Sequence, residues 1–364
     1  MKTLLFSRRE IAQIVESFGF DRLMDEIISG LNVACLNFDQ SQYCIPVRSG
    51  FSYEDEASKG VVEWMPAIRY GDRAVIKVVG YHPNNAQQFR LPTVLSTVIT
   101  FDTQNGHATS IVDATFLTSL RTGAASAVAS SVLASPHSKV LGLIGAGAQA
   151  VTQLHALTRA FELEQILIYD LDILACESFS DRASYAGIEV PIKVCSMDEL
   201  LRSADIICTS TSIDVSDGPL FEDTELKSGV HINAVGSDFP GKFELPRSLL
   251  KRSLVCPDFL AQAVTEGECQ QLRREEIGPD LPALVKESAR YSEYRDQATV
   301  FDSTGWALED LVAADILTTL GTEAGYGTPV DLACISDDPK SPYGFIDKYR
   351  FGDERLIAGR LHRL

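Results

Sequence analysis

Five charged residues stand out in this sequence because each interrupts a run of apolar or small residues. Arg48 follows Cys44-Ile-Pro-Val, Lys77 lies inside Ala74-Val-Ile-Lys-Val-Val79, and Arg121 sits in Leu120-Arg-Thr-Gly-Ala-Ala-Ser126. Glu63 breaks Val61-Val-Glu-Trp-Met-Pro66, and Asp238 lies in Ile232-Asn-Ala-Val-Gly-Ser-Asp-Phe-Pro-Gly-Lys-Phe-Glu-Leu245. Singly, most such charges are solvated surface groups. Together, the three cations can clamp a carboxylate, arginine supplying a planar fork and lysine a point charge. An acid just past a parallel strand, as Asp238 is expected to be, sits where ligands bind in open α/β sheets and can hold an ammonium or take its proton. The competing reading of Asp238 is a turn or helix cap before Pro240-Gly241.

A second constellation is a glycine turn. Val140-Leu-Gly-Leu-Ile144 reads as a parallel strand buried on both faces, and Val151, Leu154, His155 and Leu157 recur at helical spacing after it. Between them stands Gly145-Ala146-Gly147-Ala148-Gln149-Ala150. Gly145 permits a tight turn, Gly147 lets a pyrophosphate approach the backbone, Ala150 allows close helix–strand packing, and the helix start offers unpaired amides. The motif alone is weak, but Gln165-Ile-Leu-Ile-Tyr-Asp170 supplies a second apolar strand ending in an acid at the expected distance. Asp170 can accept from both ribose hydroxyls and would repel a 2′-phosphate, so NAD is expected rather than NADP.

The 364 residues suffice for two domains with sizeable cores. Lysine and arginine number 32 against 50 aspartates and glutamates, a formal net charge of −18, which argues against nucleic acid or an anionic membrane as partner. The eight cysteines show no metal or disulfide spacing, so they are expected to be reduced thiols with no metal site. The N-terminus lacks a signal-peptide core and no apolar run is long enough to span a bilayer, so a cytoplasmic protein is expected.

Elements that must position these residues follow from periodicity. Ile11, Ile14, Val15 and Phe18 predict a helix capped by Ser7 with Glu10 completing a capping box, and a second helix spans about 21–34. Residues 45–111 read as mainly antiparallel strands, with Gln104-Asn-Gly-His107 a hairpin turn. Residues 117–133, rich in small side chains, read as a connecting helix suited to close packing. From 140 onward strands (KVLGLI, QILIYD, VPIKV, ADIICTST, HINAVG, SLVCP) alternate with helices such as 172–185 and 197–202, which predicts a doubly wound parallel sheet. A last helix spans about 308–320, and the tail could return to the first region.

The pieces VVEWMP, IKVVGYHPNN, FRLPTV, LRTGAASA, LIGAGAQA, NAVGSDFPGKFEL, EGECQQL, VFDSTGWALED and GTPVDLACISDDPK stand in one order over most of the chain. In them the sequence resembles the ornithine cyclodeaminase and mu-crystallin superfamily, nearer to its cyclodeaminases than to its alanine dehydrogenases. The resemblance implies an α/β fold: a Rossmann doubly wound parallel sheet plus a discontinuous α+β substrate and dimerisation domain. Residues 1–121 with 321–364 would form the latter and 122–320 the NAD-binding domain of a homodimer. Arg48, Lys77 and Arg121 would bind the substrate carboxylate, Glu63 would sit beside the reacting amines, and Asp238 would orient or deprotonate them. Thr93, Thr122, Lys242 and Ser303 fall on positions near substrate or cofactor.

The implied chemistry is NAD-dependent cyclodeamination of an L-α,ω-diamino acid, with ornithine to proline expected first and lysine as a near homologue. Two other readings stay open: a ketimine or imino acid reductase or amino acid dehydrogenase, and a non-enzymatic binding protein like mu-crystallin. The chain has EWMP where cyclodeaminases commonly carry ELMP, and KVVGYHP where they read KYVNGHP. Trp64, Tyr81 and Phe239 therefore either reshape the pocket or fill core space.

Overall fold

The structure, a computed structural model, describes residues 1–54, 59–223 and 226–346. Its first half follows from period-2 patterning: Lys59–Arg69, Arg73–Tyr81, Val94–Asp102 and Ala108–Asp113 pair in sequence order as antiparallel strands. Tyr43–Cys44 and Ser49–Glu54 both add to Lys59–Arg69. On the other side Thr3–Phe6 lies parallel to Ala108–Asp113, and Thr328–Val330 comes back to pair antiparallel with it. This mixed eight-stranded sheet thus joins both ends of the described chain, the discontinuous α+β part expected. Residues 347–364 of the expected C-terminal segment lie outside the described residues.

Register decides which side chains share a face. Glu63 opposes Val79, Met65 opposes Lys77 and Val61 opposes Tyr81, so Glu63, Lys77 and Tyr81 point to one side. Trp64 opposes Val78, and Ser49 opposes Trp64, which places Trp64 on the other side.

Helices Phe20–Leu36, Thr115–Leu133 and Ala307–Glu323 pack together and share one apolar core with the inner side of this sheet. Close approach is what the small residues permit: a Cβ at Gly123 would stand 2.4 Å from the Thr152 carbonyl oxygen. The first two helices form as expected, Arg8–Phe18 with Ser7 and Glu10 in a capping box, and Phe20–Leu36. Thr115–Leu133 runs unbroken through the expected domain boundary at 121 and 122.

The second sheet is parallel throughout, in the order Ile192–Val194, Gln165–Tyr169, Val140–Ile144, Ile206–Thr209, His231–Ala234, Thr299–Asp302, Leu254–Pro257. Its inner strands are buried at every position or nearly so, the reason they read as apolar runs. Two expectations need correction. Thr299–Asp302, four residues with a polar start and too little periodicity to predict a strand, slots between His231–Ala234 and Leu254–Pro257. The single helix expected over 172–185 is two, Ile173–Glu177 and Phe179–Ser184, broken where the Ser178 hydroxyl donates back to the Leu174 carbonyl at 2.9 Å.

Candidate active site

The glycine turn is built as its residue types require. Val140–Ile144 ends at Gly145, whose φ of +96° and whose missing Cβ, otherwise 2.7 Å from the Ser210 carbonyl oxygen, exclude any larger residue. Gly147 caps the 13-residue helix Ala148–Ala160 and has no neighbour where a Cβ would stand, so helix-start amides face open space. Asp170 at the end of the next strand accepts from the Ala146 N–H at 2.6 Å and, through its other oxygen, from the Asp172 N–H at 2.8 Å. It therefore braces the turn and keeps lone pairs for further donors. The Gln149 amide turns away, donating to Thr152 Oγ1 at 3.0 Å and the Ser119 carbonyl at 3.4 Å, so only its backbone is offered to a ligand. An open helix start behind a tight turn, with an acid beyond it, fits a dinucleotide.

On the inner side of the first sheet, Lys77 and Arg121 converge on one carboxylate. Lys77 Nζ stands 2.9 Å from Asp310 Oδ1, and Arg121 Nε donates to the same oxygen at 3.0 Å. Arg121 Nη1 donates to Glu309 Oε2 at 2.8 Å. All four side chains are buried. Burial and the Arg121 charge pull the Lys77 ammonium down to about 8, against Asp310. Burial likewise pushes the Glu309 carboxyl up to about 8, opposed by Arg121. Burial would raise Asp310 too, but Lys77 and Arg121 outweigh it and hold it below the usual carboxylate range. With Glu309 neutral and Asp310 ionised, the two cations leave one positive charge, enough for one bound carboxylate.

Arg48 has other partners. Its Nε stands 2.8 Å from Glu266 Oε1 and 3.5 Å from Glu63 Oε1, Nη1 donates to the Thr304 carbonyl at 3.1 Å, and Nη2 donates to the Asp238 carbonyl. Lys77 and Arg121 share Asp310, while Arg48 straps the loops of the second sheet to Glu63, close enough for its charge to act on Lys77. Burial raises the Glu63 carboxyl, with Arg48 opposing and Asp238 assisting.

Asp238 sits just past His231–Ala234, and its side chain is 43% exposed. Lys242 Nζ donates to Asp238 Oδ1 at 2.9 Å and lies 5.6 Å from the centre of the Tyr81 ring. Desolvation would raise Asp238, but Lys242 and then Arg48 outweigh it and lower it. The Asp238 loop is fixed by buried Glu244, which accepts from Gly236 N–H at 3.0 Å, Thr209 Oγ1 at 2.6 Å and Thr211 N–H at 2.8 Å. Glu63, Asp238, Lys242, Tyr81 and Phe239 line a cleft of about 390 Å³ between the two sheets. Trp64 does not line it; its ring packs edge-on against Phe51 at 5.2 Å.

The remaining expected residues are placed as follows. Thr122 is buried beside Arg121, with its hydroxyl on the Thr118 carbonyl at 3.0 Å. Ser303 is buried after the missed strand and donates weakly to Asp258 at 3.4 Å. Thr93 accepts from the His82 N–H at 2.8 Å through its carbonyl, at the end of the strand pair that carries Lys77 and Tyr81. Reasoning from sequence left Glu244, Glu266, Glu309 and Asp310 without roles. The signal lay in NAVGSDFPGKFEL, EGECQQL and VFDSTGWALED, which carry these acids among small, polar and apolar residues.

The model of the ornithine cyclodeaminase/mu-crystallin family matches residues 9–319. An L-lysine cyclodeaminase of Streptomyces rapamycinicus is 38% identical over 94% of this chain and 99% of its own length. An ornithine cyclodeaminase of Agrobacterium tumefaciens is 33% identical over 79% of this chain and 80% of its own. Among solved structures, a lysine cyclodeaminase described in terms of recognition of L-lysine, L-ornithine and L-2,4-diaminobutyric acid superposes with a TM-score of 0.91, at 42% identity over 95% of this chain and 100% of that one. An archaeal alanine dehydrogenase dimer with bound NAD superposes at 0.80, 30% identical over 92% and 100%.

Proposed function

The chain belongs to the ornithine cyclodeaminase/mu-crystallin family, and from that premise we propose that it is an NAD-dependent cyclodeaminase of L-α,ω-diamino acids, converting lysine to pipecolate or ornithine to proline with release of ammonia. The observation that carries this reading is the cleft that Glu63 and Asp238 line together, with Lys77, on the same side of the sheet as Glu63, paired with Arg121 on Asp310. Similarity to lysine cyclodeaminase over nearly the whole chain favours lysine over the ornithine expected from sequence. Assembly as a homodimer and a location in the cytoplasm are part of the same proposal, as are the domain limits 1–121 with 321–364 and 122–320.

NAD, when bound, would supply the hydride acceptor and donor for the substrate α-carbon. Gly145, Gly147 and Ala148 would hold its pyrophosphate and Asp170 its ribose. Lys77 and Arg121 fix the substrate carboxylate, and that orientation of the α-carbon is worth several kcal/mol of barrier. The ω-amine attacks only when neutral, while its reference pKa is near 10. Glu63, with its raised carboxyl, is suited to take that proton, and Asp238, kept ionised by Lys242, is suited to hold and align the ammonium before it is lost.

The test is incubation with L-lysine or L-ornithine and a trace of NAD⁺. Cyclic imino acid and ammonia in large excess over cofactor, without NADH accumulation, is the expected result. Stoichiometric NADH, or turnover only from an imine and added NADH, is the outcome that the reductase reading requires. Replacing Asp170 with Ala is expected to raise KM for NAD about tenfold and to narrow its advantage over NADP, as loss of one charge-assisted hydrogen bond would; unchanged cofactor kinetics would contradict its ribose role.

A further inference from the structure

The reaction proposed above creates a proton problem that Glu63 and Asp238 do not solve between them. A diamino acid enters with two ammonium groups. The α-nitrogen must lose a proton before its carbon gives up hydride, and the ω-nitrogen must lose one before it bonds to that carbon. Two protons must therefore be stored until they return, one to the ring nitrogen and one to the departing ammonia. Asp238 is a poor store because Lys242, 2.9 Å away, keeps it ionised.

Glu266 is placed to be the second store. It follows helix Leu260–Ala263 and precedes Gly267, whose φ is +78° and whose Cβ would collide with the Asp302 carboxylate at 2.8 Å. Asp302 in turn accepts from the N–H groups of Glu268 at 2.9 Å and Cys269 at 2.8 Å. That turn fixes Glu266, buried, against the same Arg48 Nε that faces Glu63. The charged groups facing it are Arg48 from the segment before Ser49–Glu54, Glu63 from Lys59–Arg69, and Asp238 from the loop after His231–Ala234.

We propose that Glu266 is a positioning and proton-storing residue that acts through Glu63: the two carboxylates share Arg48 and between them hold the protons released by the two ammonium groups. Burial pushes Glu266 up to about 7, opposed by Arg48 and reinforced by the negative charges of Glu63 and Asp238. Glu266 therefore gains and loses a proton near neutral pH, beside a Glu63 carboxyl that burial also raises. The inference rests on the cyclodeaminase reading, and its test is chosen to fail separately.

The coupling is read without turnover by pH titration of protein labelled with ¹³C at the glutamate carboxyls, the Glu266 signal being the one lost in Glu266→Gln. In Glu63→Gln its midpoint is expected to fall by about one pH unit, since a neighbouring like charge is gone; an unchanged midpoint overturns the proposal. Turnover supplies the second readout. Glu266→Gln is expected to lower kcat at least tenfold and to remove the ionisation near neutrality from its pH profile, with Glu266→Asp restoring both. A uniform fall with the profile's shape retained would mean that Glu266 merely packs, and would overturn the storage role. Should Glu266→Gln fail to fold, Glu266→Asp, which also removes the labelled glutamate carboxyl, identifies the signal. If the wild-type protein cyclises no diamino acid, the reading above fails while the titration still decides the coupling.

Discussion

Replacing Asp238 with Asn is expected to lower kcat by on the order of a hundredfold, as losing the charge that aligns the reacting ammonium would. The substitution keeps the loop. Arg48 donates to the Asp238 backbone carbonyl, which Asn retains, and Glu244 holds Gly236 and Thr209 from the other side. What changes is the negative charge that faces the cleft and that Lys242 now balances. An unpaired Lys242 would then repel the incoming ammonium, so KM for the diamino acid should rise as well, while KM for NAD and the melting temperature stay near wild type. A variant with full kcat would show that Asp238 only shapes the loop.

Replacing Arg121 with Ala is expected to cost both stability and substrate binding. Its guanidinium donates to Glu309 and Asp310, each buried to within a few per cent, and removing it leaves Asp310 to Lys77 alone and a buried Glu309 oxygen without its donor, a cost of about 1–3 kcal/mol. Denaturant unfolding measures this, and a loss below about 1 kcal/mol would mean that water or Lys77 takes over the pairing. Binding of the substrate carboxylate has a pH dependence with a definite sign. Below about 8 Lys77 is charged and Glu309 neutral, so the group carries one net positive charge; as pH rises through that range Lys77 loses its proton and Glu309 ionises, and both changes remove attraction. KM for the diamino acid should therefore climb above about pH 8 and be flat below it. A KM that falls with rising pH would place the carboxylate elsewhere.

Local chemistry was legible where a short motif carries its own constraint. Ser7 and Glu10 cap a helix because the capping box needs no distant partner, and Gly145 to Ala150 with Asp170 form the expected turn because its geometry is local. The buried strands of the second sheet announced themselves as apolar runs, except Thr299–Asp302. What could not be read was pairing across the chain. Arg48 and Lys77 look alike in sequence, a cation in an apolar stretch, yet one meets Glu266 and the carbonyls of Asp238 and Thr304 while the other meets Asp310. Trp64 and Glu63 are neighbours in sequence and stand on opposite sides of a sheet, which only register decides. The acids Glu266, Glu309 and Asp310 became interpretable once their cations were seen beside them.

In the proposed reaction one hydride leaves and returns to the same carbon within a single turnover. L-lysine deuterated at its α-carbon, converted with excess unlabelled NAD⁺, tests it directly. Pipecolate that keeps its deuterium, with none appearing in the free cofactor pool, is the result predicted. Unlabelled product with deuterated nicotinamide accumulating in solution would contradict it.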